Sequence, residues 1–165
     1  MTIEIDIAVE SEKWAAIELD SLVSLAVEAA RTESHVALAP STEVSLLFCD
    51  DARIRELNRE WRGLDKPTNV LSFPASEPTR LSQAPLLGDI AIAFETVERE
   101  SIDEQKSFAD HLSHMVVHGF LHLVGFDHEI DGDAEVMEDA ERRALARLGV
   151  ADPYAATVPV GSARS

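Results

Sequence analysis

The sequence lacks several features that would each indicate a class of protein. It has one cysteine, Cys49, so no disulfide can form within the chain, which fits a reducing compartment. Its longest apolar runs are too short to span a bilayer, and its acidic first residues do not resemble a secretory signal. No G-x-x-x-x-G-K-[ST] or G-x-G-x-x-G loop is present, so no nucleotide cofactor is expected. These absences predict a cytoplasmic protein that does not associate with membranes.

Basic residues are also scarce: 14 Lys and Arg stand against 31 Asp and Glu, a formal net charge of −17. Such a surface repels polyanions and argues, taken globally, against a nucleic-acid binder. Yet residues 53–66 carry a local net charge of +2. Ion pairs on a solvated helix face account for Arg53, Arg55 and Arg59. Arg62 and Lys66 differ because they flank the turn into a Pro-containing loop, where a cation could bind a phosphate.

Hydrophobic periodicity predicts strands interleaved with helices. Strands are expected at 3–9, 44–48, 70–73 and 86–94. Helices are expected at 12–31, between Asp50 and Gly63, at 95–104, at 107–124 and before Gly149. This order predicts a mixed sheet with helices packed on it, in a single domain over residues 1–154. Residues 155–165 show no pattern and are expected to form a flexible tail.

Five of the six histidines lie between positions 111 and 128. His118 and His122 are four residues apart, so a helix places both on one face, where they can bind one cation. Gly125 can end the helix and let the chain fold back to bring His128 to the same point. Three imidazoles with one open position are typical of a catalytic zinc site, although nickel or copper also bind imidazole. The surrounding helix is apolar nearly all round, so its histidines need buried partners, and a metal would be one.

Two neighbours of this trio have alternative roles. His114 lies one turn before His118 and could replace it as a ligand, but only the trio with His128 explains the Gly125 turn. His114 is therefore expected beside the ligands or in the cleft wall. Asp127 could orient an imidazole, accept a proton or simply form the turn. The spacing of the trio is also that of the metzincin proteases, but Gly119 stands where those enzymes have their general-base glutamate, which argues against peptide hydrolysis.

Three motifs together carry a resemblance to a known family: WRGLDKPTNVLSFP at 61–74, LLGDIAIA at 86–93 and HMVVHGFLHLVGFDHE at 114–129. They resemble the YbeY family of bacterial endoribonucleases. The resemblance implies an α+β fold with a mixed, mostly parallel four-stranded sheet and a zinc-binding helix carrying HxxxHxxxxxH. It implies His118, His122 and His128 as ligands of one Zn²⁺ and Arg62 as a catalytic residue.

The implied activity is metal-dependent cleavage of single-stranded RNA in 16S rRNA 3′-end maturation and ribosome quality control, with small-subunit ribosomal proteins as partners. The general base stays open between metal-activated water, His114 and Asp127. Two alternatives to an endoribonuclease are a ribosome-assembly factor with a structural metal and a metallohydrolase that acts on another substrate. The acidic residues of 1–20 and 127–141 are expected to face solvent, away from RNA or towards a basic partner such as a ribosomal protein. The net charge predicts that free RNA binds weakly and in a salt-sensitive way.

Overall fold

A computed structural model of the chain describes residues 3–127 and 131–155. The strands are β1 (Glu4–Val9), β2 (Glu43–Cys49), β3 (Val70–Pro74) and β4 (Leu86–Ala93). The α-helices are α1 (Leu19–Ser34), α2 (Asp51–Arg62), α3 (Phe94–Asp103), α4 (Phe108–Leu123) and α5 (Asp131–Arg147). Short 3₁₀ helices cover Glu12–Trp14 and Pro78–Gln83. The domain boundary expected at residue 154 stays a prediction, and nearly all of the expected tail lies beyond the described residues.

The strands form one four-stranded sheet in the order β1-β2-β4-β3. Strand β2 pairs in parallel with both β1 and β4, while β3 runs antiparallel to β4. The connections between parallel strands contain α-helices. The antiparallel strands β3 and β4 are consecutive in the chain and are joined through the 3₁₀ helix Pro78–Gln83. The expected α+β fold with a mixed, mostly parallel four-stranded sheet is confirmed.

Each face of the sheet has its own hydrophobic core because strand side chains alternate between faces. On β2, Val44, Leu46 and Phe48 belong to the larger core, which includes residues of α1, α4 and α5. Cys49, on the opposite face, joins a smaller core with Ile54 of α2. Among the helices of residues 3–127 and 131–155, none has the length and apolar character needed to cross a bilayer.

Helix α4 is the central helix of the larger core. It contacts α1, α3, α5, β3 and β4. Its apolar residues include Leu112, Val116 and Phe120, which are completely buried, as expected for a helix without a polar face. The Ser107 side chain accepts a hydrogen bond from the Asp110 backbone and caps its first turn. The histidines of α4 are therefore held on one of the most enclosed elements of the fold.

The helix predicted over residues 12–31 is wrong in its first turns. Residues 12–14 form a separate 3₁₀ turn, and α1 begins only at Leu19. The reason is Trp14, whose indole N–H donates to the Cys49 carbonyl at 2.9 Å and whose ring packs edge-on against Phe48. The indole is thus fixed at the end of β2, and the turn that carries it does not continue into α1. Helical periodicity alone could not reveal that break.

Candidate active site

Four histidines follow one another along α4 at spacings of three and four residues. The ring centroids of His111 and His114 are 6.1 Å apart, and those of His114 and His118 are 6.3 Å apart. His118 and His122 are closer, at 4.7 Å, with their planes at 77°. The helix ends at Leu123, and Gly125 follows with a positive φ of 103°. The predicted histidine face and the turn at Gly125 are both present in the structure.

His118 and His122 line a cavity of about 520 Å³ between α4, strand β3 and the end of α2. Arg62 and Asp127 line the same cavity. Both histidines are half-buried, whereas Asp127 is exposed. His128, the third predicted ligand, lies outside the described residues. The structure thus brings together two predicted ligands, the predicted catalytic arginine and one secondary candidate.

Glu141 of α5 reaches this site from behind α4. Its side chain is completely buried, and its Oε2 lies 2.7 Å from His118 Nδ1. Its Oε1 lies 2.8 Å from His114 Nε2 and also accepts a hydrogen bond from the Tyr154 hydroxyl. Burial alone would raise the pKa of Glu141, but the hydrogen bonds of His114 and His118 outweigh it and hold that pKa well below its ordinary value. The carboxylate is therefore ionised and surrounded by donors.

Potential ligand atoms of His114, His118 and Glu141 all lie within 4.8 Å of one another, so these residues form a candidate metal-binding group. The shortest contacts within it are hydrogen bonds from imidazole to carboxylate. His114 uses Nε2 for Glu141, and its Nδ1 is buried without a hydrogen-bond partner. His122 lies beside His118 on the cavity side. Imidazole nitrogens backed by a carboxylate suit a divalent transition metal.

Glu141 is absent from the site residues that the sequence predicted, although α5 carries a signal for it. The inward stripe of this helix consists of Met137, Ala140, Ala144 and Leu145, all buried. Glu141 lies on the same stripe, where a buried carboxylate requires a charged or hydrogen-bonding partner. The helical pattern could have identified an unusual acid. It could not show that the partners are histidines of another helix.

Arg62 is the last residue of α2, which ends at Gly63 with a φ of 72°. The preceding arginines are occupied: Arg55 lies 2.8 Å and Arg59 3.5 Å from carboxylate oxygens of Asp65. Among the described residues, no carboxylate lies within ion-pair distance of Arg62, which is exposed and faces the cavity. This arginine therefore presents an uncompensated guanidinium to the site.

Lys66 is not brought into the cavity. It is exposed, and within the described part of the chain its side chain makes no ion pair. Its backbone carbonyl accepts a hydrogen bond from Asn58 Nδ2 at 2.9 Å, which holds the loop against α2. The backbone at this position thus holds the loop, and phosphate binding by the Lys66 side chain stays a prediction.

A second cavity of about 750 Å³ adjoins the first one. The two share Asn69, Val70 and His118 as lining residues. Asn69 Nδ2 donates to Glu100 Oε1 at 3.0 Å, and the same oxygen lies 2.8 Å from His111 Nε2. The two cavities therefore adjoin each other beside β3 and α4, and Arg62 lines the smaller one.

Gly119 has a packing role that explains the missing glutamate. A Cβ at this position would lie 2.9 Å from Cγ2 of Ile90 and 3.3 Å from the Ser72 hydroxyl oxygen. The Ser72 hydroxyl donates to the Gly119 carbonyl at 3.0 Å. Position 119 thus faces the sheet, where α4 packs so closely that an added side chain would force Ile90 to shift. Packing therefore disfavours a general-base glutamate at this point of the helix.

Comparison with known proteins gives a consistent result. The family model described as Endoribonuclease YbeY matches residues 4–149. An Endoribonuclease YbeY of Methylocella silvestris is 52% identical over 151 residues, 91% of this chain and 85% of the relative. One from Beijerinckia indica is 57% identical over 164 residues, 94% of this chain and 79% of the relative.

A solved structure agrees at the level of the fold. The solution structure of TM1509 from Thermotoga maritima is 25% identical and superposes with a TM-score of 0.56. The match covers 90% of this chain and 92% of that one. With the family model and the close relatives spanning nearly the whole chain, this protein belongs to the endoribonuclease YbeY family.

Proposed function

We propose that this chain is a zinc-dependent endoribonuclease that cleaves single-stranded RNA in the 3′-end maturation of 16S rRNA. The observation that carries the proposal is the cavity that Arg62, His118 and His122 line together. Nitrogen ligands and a guanidinium facing one space suit a phosphodiester, whose oxygens bind both a metal and an arginine. Membership of the endoribonuclease YbeY family supports RNA as the substrate.

His118, His122 and His128 would hold the ion, with Glu141 behind His118. A bound divalent ion supplies Lewis-acid polarisation of a phosphodiester oxygen and lowers the pKa of water. Arg62 binds a non-bridging oxygen of the phosphate and stabilises the charge that develops there in the transition state. Its position at the exposed end of α2 lets it meet a phosphate without breaking an ion pair.

Asp127 is the better candidate for a proton acceptor than His114. It is exposed and lines the cavity. His114 has Nε2 engaged by Glu141, and its Nδ1 is buried. His114 therefore serves to surround Glu141 rather than to exchange protons with substrate.

The cleft suits a single strand because a flexible backbone can bend into it, whereas a duplex presents a rigid cylinder. The local positive charge is small, since Arg53, Arg55 and Arg59 are neutralised by carboxylates. Free RNA should bind weakly and with strong dependence on salt. Small-subunit ribosomal proteins, which are basic, would then contribute to recruitment in the cytoplasm.

The test is cleavage of a 16S rRNA 3′ precursor by protein of measured zinc content. Arg62→Ala should abolish most cleavage while zinc content is retained, and His118→Ala should lose zinc and cleavage together. Arg59→Ala is the matched control, because it removes an exposed arginine one turn earlier on α2 that is paired with Asp65. It should remain active.

Three outcomes would contradict the proposal. Cleavage that survives Arg62→Ala and His118→Ala equally would come from a contaminating nuclease. Wild-type protein without bound metal would remove the central claim. Wild-type protein that retains zinc but cleaves no RNA would favour an assembly factor with a structural metal.

A further inference from the structure

Glu141 is a buried carboxylate that accepts hydrogen bonds from three side chains, which belong to two other segments of the chain. His118 and His114 come from α4, and Tyr154 comes from the segment that follows α5. Tyr154 is partly exposed, and its ring also lies edge-on to His114, with centroids 5.8 Å apart. A fully buried glutamate is expensive unless every lone-pair direction is used. Glu141 accepts three side-chain hydrogen bonds, with at least one on each oxygen, which indicates a built arrangement.

The two oxygens of Glu141 have different partners. Oε2 bonds to His118 Nδ1 at 2.7 Å, while Oε1 takes His114 and the tyrosine hydroxyl. A carboxylate only accepts, so the proton of His118 must lie on Nδ1. Its Nε2 then carries the lone pair on the side of the ring that is turned away from Glu141. Metal binding by His118 would then use Nε2, because Nδ1 carries the proton.

We propose that Glu141 is a positioning residue that fixes the tautomer and ring orientation of His118 for metal binding, and that Tyr154 completes this arrangement. The proposal rests on the proposed role of His118 as a metal ligand. It makes the segment 151–155 part of the metal site although that segment is remote in sequence from the histidines. Carboxylates that hold a ligand imidazole in this way strengthen metal binding, and their loss costs about 10- to 100-fold in affinity.

The tyrosine is held in place by its own contacts. Its backbone N–H donates to Asp152 Oδ1 at 2.8 Å, and the Asp152 carboxylate accepts a hydrogen bond from Arg142 Nε at 3.1 Å. The Arg142 guanidinium also lies 5.5 Å from the centre of the tyrosine ring. These contacts tie the segment to α5 at Arg142, the residue that follows Glu141. Tyr154 therefore covers Glu141 from a fixed position.

The first measurement is Zn²⁺ affinity of the full chain by competition with a chromophoric chelator. Glu141→Gln should weaken Zn²⁺ binding by about 10- to 100-fold, and Tyr154→Phe should weaken it less. The matched control is Glu135→Gln, which removes an exposed carboxylate of the same helix. It should bind Zn²⁺ as the wild type does. Unchanged affinity of folded Glu141→Gln would overturn the proposal.

The second measurement uses the wild type, so it does not depend on whether a variant folds. Ring ¹⁵N spectra of the chelator-treated protein should show His118 with its proton on Nδ1. A proton on Nε2 would contradict the proposal. X-ray absorption should show the same ligands around zinc in the wild type and in Glu141→Gln. Loss of an oxygen ligand in the variant would instead make Glu141 a direct ligand. Neither readout needs RNA cleavage, so a failed nuclease assignment would be recognised separately.

Discussion

Replacing Gly119 with alanine tests whether close packing of α4 on the sheet determines the residue at this position. The added methyl carbon would lie 2.9 Å from Ile90 Cγ2 and 3.3 Å from Ile90 Cδ1. Ile90 is completely buried, so a shift of its side chain would disturb its neighbours in the core. The Ser72 hydroxyl oxygen, also 3.3 Å away, is engaged with the Gly119 carbonyl. Helix and strand must separate, or Ile90 must leave its preferred rotamer.

The expected magnitude is the difference between two opposing effects. Overpacking a well-filled core costs about 1–3 kcal/mol. Alanine gains about 1 kcal/mol over glycine inside a helix. Gly119→Ala should therefore lower the free energy of unfolding by up to about 2 kcal/mol. Gly119→Glu should cost several kcal/mol more, because it also buries a carboxylate against apolar side chains, and it should not create a peptidase.

Urea unfolding followed by far-ultraviolet circular dichroism measures the change. Gly132→Ala is the control, since Gly132 lies in α5 with nothing within 4 Å of its added Cβ. That variant should gain a few tenths to about 1 kcal/mol. In an Ile90→Ala background, the cost of Gly119→Ala should shrink because the colliding atoms are gone. A Gly119→Ala protein as stable as Gly132→Ala would refute the close-packing explanation.

Two further predictions concern groups remote from the cavity. Burial raises the pKa of the Cys49 thiol to about 12, so at pH 8 the native protein should react with a thiol reagent only as fast as it unfolds. Rapid stoichiometric labelling without denaturant would contradict this. Glu33 accepts hydrogen bonds from Arg147 and Arg143, which lower its pKa and tie α1 to α5. Its stabilising effect is complete above the ordinary glutamate pKa and is lost as the pH falls through the lowered value. Glu33→Gln should therefore destabilise the protein at pH 7 more than at pH 3 in urea titrations, and an equal effect at both pH values would exclude the ion pairs as the cause.

Local features of the sequence were sufficient for most of the fold. The Asp50 cap, the end of α2 at Gly63 and the position of α4 follow from residues within a few positions of each other. The break after Trp14 could not be predicted, because it depends on a carbonyl of β2 that is remote in sequence. Neither could the sheet order be derived from periodicity, since alternation identifies a strand but not its neighbour.

The functional assignments divide in the same way. The four-residue spacing of His118 and His122 already required that they share a helix face, and Gly125 already indicated the turn after them. The position of Arg62 before the loop only suggested that this arginine faces the site. The structure distinguishes it from Arg55 and Arg59, because both of these pair with Asp65. Ion-pair partners depend on how α2 meets the following loop.

By itself, the sequence determined the family, most of the strands and helices, and the histidine face, because each depends on short-range periodicity or on motifs contiguous in the chain. Only the tertiary structure decided that Glu141 and Tyr154 meet the histidines and that Gly119 faces Ile90. These contacts join α4 to α5, to the segment beyond it and to β4. Helix packing geometry sets such distances, and no local pattern encodes them.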